Sequence, residues 1–111
     1  MSYHSKEDNE EISKVAHYLG PDERVVIVAK GSMIMFLTNK RLLMRKLSLL
    51  KRETIQDISY DKIISIQLKK GFRSSKILLF ASGYKIEIDS MKKEVAERAL
   101  VHLEEVTHKS K

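Results

Sequence analysis

The sequence predicts a mainly β domain, α+β by content: a seven-stranded antiparallel, partly open barrel capped by a C-terminal α-helix, with a short N-terminal helix. Three observations predict it. The hydrophobic period changes from about 3.6 to about 2 after Gly20-Pro21 and returns to 3.6 after Asp89. Between those points lie seven short apolar or alternating runs, joined by turns of two to six residues. No helical pattern interrupts them, so the crossovers of a parallel sheet are missing.

Residues 1–6 read as a tail, and residues 7–111 as one domain. Over residues 7–19, Ile12, Val15, Ala16 and Leu19 fall at i, i+3, i+4 and i+7, one stripe of a helix. Glu7, Asp8, Glu10 and Glu11 suit the positive end of its dipole. Gly20-Pro21 ends it, since proline cannot continue a helix.

The barrel is predicted over residues 23–88. Its strands are Arg24–Lys30, Met33–Thr38, Arg41–Leu47, Thr54–Ser59, Ile64–Lys69, Lys76–Ala81 and Tyr84–Ile88. Gly31-Ser32, Asn39-Lys40 and Ser82-Gly83 mark tight turns. Ile64, Ile66 and Leu68 alternate strictly with Ser65, Gln67 and Lys69, the pattern of a half-buried strand. A last helix is expected over residues 90–107, capped by Asp89 or Ser90, with Val95, Ala99, Leu103 and Val106 down one face. His108, Lys109 and Lys111 suit its negative end.

A composition of 42% hydrophobic and 32% charged residues is that of an ordered globular chain. The longest apolar runs, Met33–Thr38 and Ile77–Ala81, fall far short of the roughly 20 residues of a membrane helix. The first eleven residues are polar and largely acidic, unlike a secretory signal. Cysteine is absent, which excludes disulfides and thiolate chemistry. A cytoplasmic protein is expected, with room for peripheral attachment to the inner membrane face. The net charge of +6 is uneven: Lys40–Lys76 holds eleven basic residues against Glu53, Asp57 and Asp61, a net of +8. Such a surplus points to an anionic partner.

Several segments carry a family resemblance. Leu19-Gly20-Pro21-Asp22-Glu23 before a β-branched strand resembles the L-x-x-x-E lead-in of bacterial pleckstrin-homology (PH) domains of the YokE-like kind. Leu37-Thr38-Asn39-Lys40-Arg41-Leu42-Leu43 is similar to that family's T-N-K/R-R hairpin. Ile58-Ser59-Tyr60-Asp61-Lys62-Ile63-Ile64-Ser65-Ile66 resembles its I-x-Y-x-x-I-x-S-I strand pair, and Gly83–Ile88 its final strand. The resemblance covers Leu19 to Thr107. It implies a PH-like barrel serving as a non-enzymatic scaffold, often of unknown ligand. Phosphoinositide-binding PH domains place a lysine in the first hairpin and a basic pair on the second strand. Here the hairpin offers only Lys30, and Met33–Leu37 is uncharged, so that site is not carried over.

Catalytic and metal signatures are lacking. His4, His17, His102 and His108 have no metal-ligand spacing, and no serine sits in a nucleophile elbow. Gly20, Gly31, Gly71 and Gly83 all stand at turns and form no phosphate cradle. No enzyme activity, cofactor or metal is expected. Asn39 is assigned a turn role, because asparagine tolerates the positive φ of a two-residue hairpin loop.

The basic cluster carries the functional expectation. Lys40, Arg41, Arg45, Lys46, Lys51 and Arg52 lie on the third strand and its loops, and Lys69, Lys70 and Arg73 rim a later loop. As solvated edge charges they discourage sheet-to-sheet pairing; as a site they bind anions or lipid. Leu47, Leu49 and Leu50 between them are candidates for an interaction edge or an inserting tip, and Met33–Leu37 for an interaction edge. The leading expectation is a module acting through a protein partner or self-association. The alternative is peripheral binding to anionic membrane lipids through Lys40–Arg52. Nucleic acid ranks lower, since only Phe72 interleaves the basic residues.

Overall fold

The computed structural model describes residues 4–50 and 52–108. Two antiparallel sheets face one another. The first has the order β1 (Val25–Lys30), β2 (Ile34–Thr38), β3 (Arg41–Leu47), β4 (Glu53–Ser59). A short 3-10 turn, Tyr60–Lys62, leads into the second: β5 (Ile63–Lys70), β6 (Ser75–Ala81), β7 (Tyr84–Met91). The sheets do not close on each other, which makes the barrel partly open.

The main core lies between the sheets. Met35, Leu37, Leu42, Met44 and Ile58 meet Ile77, Leu79, Ile86 and Ile88, and Ala96, Ala99 and Leu103 of the C-terminal helix α2 (Lys93–His108) complete it. The two alanines bring the helix close, and the helix packs on β5, β6 and β1. Val95 and Val106 pack at the margin, so all four residues of the predicted face meet the core, and Ala96 joins them.

A second, smaller core lies on the outer face of the first sheet. The N-terminal helix α1 (Lys6–Ser13) and the 3-10 turn Ala16–Tyr18 place Ile12, Val15 and Leu19 over Val25, Val28, Phe36 and Leu43. β2 and β3 are therefore covered on both sides, which is why Met35-Phe36-Leu37 and Leu42-Leu43-Met44 read as continuous apolar runs without alternation. β2 also pairs on both edges, so Met33–Leu37 offers no free edge. Ala16, assigned to the stripe, is exposed, because the α-helix gives way to the tighter turn before it.

Three further local features differ from expectation. Residues 4–6 are structured: Ser5 caps α1 by accepting from the Asp8 N–H (3.1 Å), and His4 Nε2 lies 2.9 Å from the Val25 carbonyl oxygen. β7 continues through Asp89 and Ser90 to Met91, so neither caps α2. The register slips there, and Ser90 takes a left-handed φ of 61°. In β5 the alternation breaks at a bulge: Ile63 enters the core, Ile64 points to solvent, and Ile66 and Leu68 pack inward. Lys51, Lys109, Lys111 and the His108 side chain lie outside the described residues.

The β1–β2 turn docks on the end of β7. Ser32 N–H donates to the Asp89 carbonyl (2.7 Å), and Asp89 N–H donates to Ser32 Oγ (2.9 Å). Gly31 permits this approach, since a Cβ there would stand 2.4 Å from the Asp89 carbonyl oxygen.

Candidate functional site

The candidate cations do not form one patch. β2–β3 turns at one end of the domain and holds Lys40. Ile34 pairs with Lys30 and with Arg45, so the β1–β2 turn and the β3–β4 hairpin tip emerge together at the other end. Ser32 meets Asp89 there, and Ser75 pairs with Met91, which brings the β5–β6 loop to the same end. Lys46, Arg52, Lys69, Lys70 and Arg73 thus share an end that Lys40 does not.

Arg41 is committed inside the chain. Its guanidinium donates to Glu23 from Nε (2.9 Å) and Nη2 (3.1 Å), to Asp57 from Nη1 (3.1 Å), and to the Tyr18 carbonyl (2.7 Å). Glu23 also accepts from the Gly20 N–H (3.0 Å) and the Thr38 hydroxyl (2.7 Å), and its side chain is only 3% exposed. Burial opposes ionisation of Glu23, but hydrogen bonds from Arg41, Gly20 and Thr38 outweigh it and hold the carboxyl at about 2. Its hydrogen bond to Glu23 correspondingly raises the pKa of Arg41.

The same knot gathers the other motif residues. Thr38 Oγ1 accepts from the N–H groups of Lys40 (3.1 Å) and Arg41 (2.9 Å). Asn39 accepts from the Arg24 N–H (2.8 Å) and donates to the Asp22 carbonyl (3.0 Å). Asn39 therefore does serve the turn, but by side-chain clips: the positive φ angles among the described residues belong to Ser90 and Gly83. Tyr60 donates to the Thr38 carbonyl (2.5 Å), and burial first, then the Glu23 charge, raises its pKa. Three segments far apart in sequence are tied together, and their polar groups are consumed in tying them.

Arg45 is likewise engaged. Its Nε donates to Glu53 (2.8 Å) across β3–β4, and its side chain is largely covered. Beyond this pair the hairpin becomes an exposed tip, closed by Ser48 N–H to the Arg52 carbonyl (3.0 Å) and Arg52 N–H to Ser48 Oγ (3.2 Å). Leu47 is exposed, Leu49 is fully exposed and Leu50 is 79% exposed, so none of the three packs on the core. Lys46 and Arg52 flank them and form no ion pair among the described residues.

The β5–β6 loop repeats the theme. Phe72 is 91% exposed, between Lys69, Lys70 and Arg73. Lys70 pairs with Glu97 on α2 (2.9 Å), and Lys76 with Asp89 (3.2 Å) and Glu87 (3.7 Å). The hydrogen bond with Asp89 leads the causes that raise Lys76, and Lys85 leads those that lower Glu87. Lys69 and Arg73 form no ion pair among the described residues.

An apolar groove of about 750 Å³ between β1 and α2 is absent from the sequence expectations. Ile27 and the half-exposed Val101 floor it, and Glu94, Glu97, Glu105 and Arg98 rim it. Its signal in the sequence is Val101, an apolar residue off the core stripe, seven residues after Glu94 and four before Glu105.

Among the described residues no group of three or more His, Asp or Glu side chains is placed to hold a metal ion. No helix among them is long and apolar enough to cross a membrane.

The bacterial PH domain family model matches residues 7–105. Among solved structures, a pleckstrin homology domain from Shewanella amazonensis SB2B is similar with a TM-score of 0.65 and 17% identity, over 83% of this chain and 92% of that one. A DUF1696 family protein with a pleckstrin-homology domain from Shewanella loihica PV-4 gives 0.62 and 16%, over 85% and 92%. At these identities the likeness is one of fold. No curated protein matches the chain.

Proposed function

The chain belongs to the bacterial PH domain family, and from that premise we propose that it is a non-enzymatic binding module docking on anionic membrane surfaces. The observation that carries this is the pairing of exposed apolar tips with cations that form no ion pair among the described residues, all at one end: Leu47, Leu49 and Leu50 beside Lys46 and Arg52, and Phe72 beside Lys69 and Arg73. Each cation near an anionic bilayer contributes about 1 kcal/mol, so four give about 4 kcal/mol, a millimolar affinity. Burying an apolar side chain adds about 1.5–3 kcal/mol, so two or three inserted tips bring the total to reversible, roughly micromolar binding. Neither contribution suffices alone. The module works at the cytoplasmic face of the membrane, where anionic lipids lie.

This reading replaces Lys40–Arg52 as the lipid site. Arg41 and Arg45 are held in ion pairs, Lys40 is at the opposite end, and Lys69 and Arg73 join instead. Co-sedimentation with vesicles tests it. Binding to phosphatidylglycerol-containing vesicles, weakened by salt and absent from neutral ones, is expected. Equal binding to both compositions, or to neither, contradicts it.

The second reading, contact with a protein, is favoured by the groove between β1 and α2, an apolar floor that no part of the described chain covers.

A further inference from the structure

We infer that the groove between β1 and α2 receives the β3–β4 hairpin tip of a second copy of this chain. The two surfaces are complementary in shape class and in charge. The groove is concave, floored by Ile27 and Val101, and rimmed by Glu94, Glu97 and Glu105 against the single Arg98. The tip is convex, carries Leu47, Leu49 and Leu50, and is flanked by Lys46 and Arg52. An acidic rim around an apolar floor selects a basic, leucine-bearing knob, and this chain carries one. The Lys70–Glu97 pair at the rim is solvent-exposed on both sides, so exchanging it for a contact with the incoming tip costs little.

The two surfaces are different patches, so the contact is heterologous, head to tail, and a pair of copies keeps one free tip and one free groove between them. Association therefore grows with concentration rather than stopping at a symmetric dimer, unless a ring closes. The inference shares with the membrane reading the exposure of the tip: leucines seated in a groove are unavailable to lipid. Anionic vesicles are therefore expected to dissolve the assemblies.

Sedimentation velocity over a range of concentration and salt tests it with three proteins. Wild type is expected to show concentration-dependent species that salt weakens. Val101→Lys, at an exposed helix position between Glu97 and Glu105, places a cation on the groove floor and is expected to weaken association about tenfold or more. It keeps wild-type vesicle binding. Leu49→Asp/Leu50→Asp removes both association and vesicle binding. A mixture of the two variants is expected to form a 1:1 heterodimer, since one keeps its tip and the other its groove.

A wild type that stays monomeric at high concentration overturns the inference. So does a Val101→Lys variant that associates like wild type, or a mixture that forms no heterodimer. None of these outcomes touches the membrane reading, which fails only on the vesicle arm. Circular dichroism spectra matching wild type establish that each variant is folded.

Discussion

Arg41 Nε and Glu23 Oε2 meet at 2.9 Å, with the Glu23 side chain all but removed from solvent. This contact joins the segment before β1 to the start of β3, and with Thr38, Asn39 and Tyr60 it makes the motif residues parts of one brace. Glu23→Gln removes the charge and leaves Arg41 under-compensated. A loss of about 2–3 kcal/mol in urea unfolding is expected. Arg41→Lys, which cannot span Glu23, Asp57 and the Tyr18 carbonyl together, is expected to lose a similar amount.

The brace sets the acid stability. The folded Glu23 carboxyl sits at about 2, below its ordinary 4.5. A depressed carboxylate contributes its full stabilisation above the unfolded value and loses it as pH falls toward the folded value. The contribution, about 3 kcal/mol, is therefore constant above about pH 5 and disappears between about 4.5 and 2. Urea midpoints from pH 6 to pH 2 check this. In Glu23→Gln the fall over that window is expected to be shallower.

Tyr60→Phe keeps the ring in the core but leaves the buried Thr38 carbonyl without its phenol donor. A cost of about 1–2 kcal/mol is expected. Thermal unfolding followed by circular dichroism measures it.

Gly31→Ala tests the junction of the β1–β2 turn with β7. The added Cβ meets backbone, the Asp89 carbonyl oxygen at 2.4 Å, which no rotamer change relieves. Loss of the Ser32–Asp89 hydrogen bonds and destabilisation of about 2 kcal/mol or more are expected. Faster amide exchange at Ser32 and Asp89 reports it.

The strands were legible to within a few residues, because Gly31-Ser32, Asn39-Lys40 and Ser82-Gly83 punctuate them with local turn chemistry. What local pattern hid was tertiary. Ile64 alternates faultlessly with its neighbours, yet a bulge turns it outward and sends Ile63 into the core. Phe36 and Leu43 sit where a half-exposed sheet would place polar residues, and only the docking of Ile12 from α1 and of Val15 just after it explains them.

The candidate site was legible as a list of charges and not as a surface. Counting cations could not show that Arg41 is spent on Glu23, 18 residues away, or Arg45 on Glu53. Lys40 and Lys46 are close in sequence but stand at opposite ends of β3, whereas Phe72 joins Leu49 and Leu50 only through the register of the sheets. The groove beside α2 was invisible because half of it, Ile27, comes from β1.

The chain contains no tryptophan, so Leu50→Trp places a single fluorophore on the hairpin tip, and its emission tests the membrane reading most directly. A blue shift on adding phosphatidylglycerol vesicles, quenched by brominated acyl chains and absent with neutral vesicles, is the predicted result. Emission unchanged by anionic vesicles at low salt, with the protein folded, would contradict it.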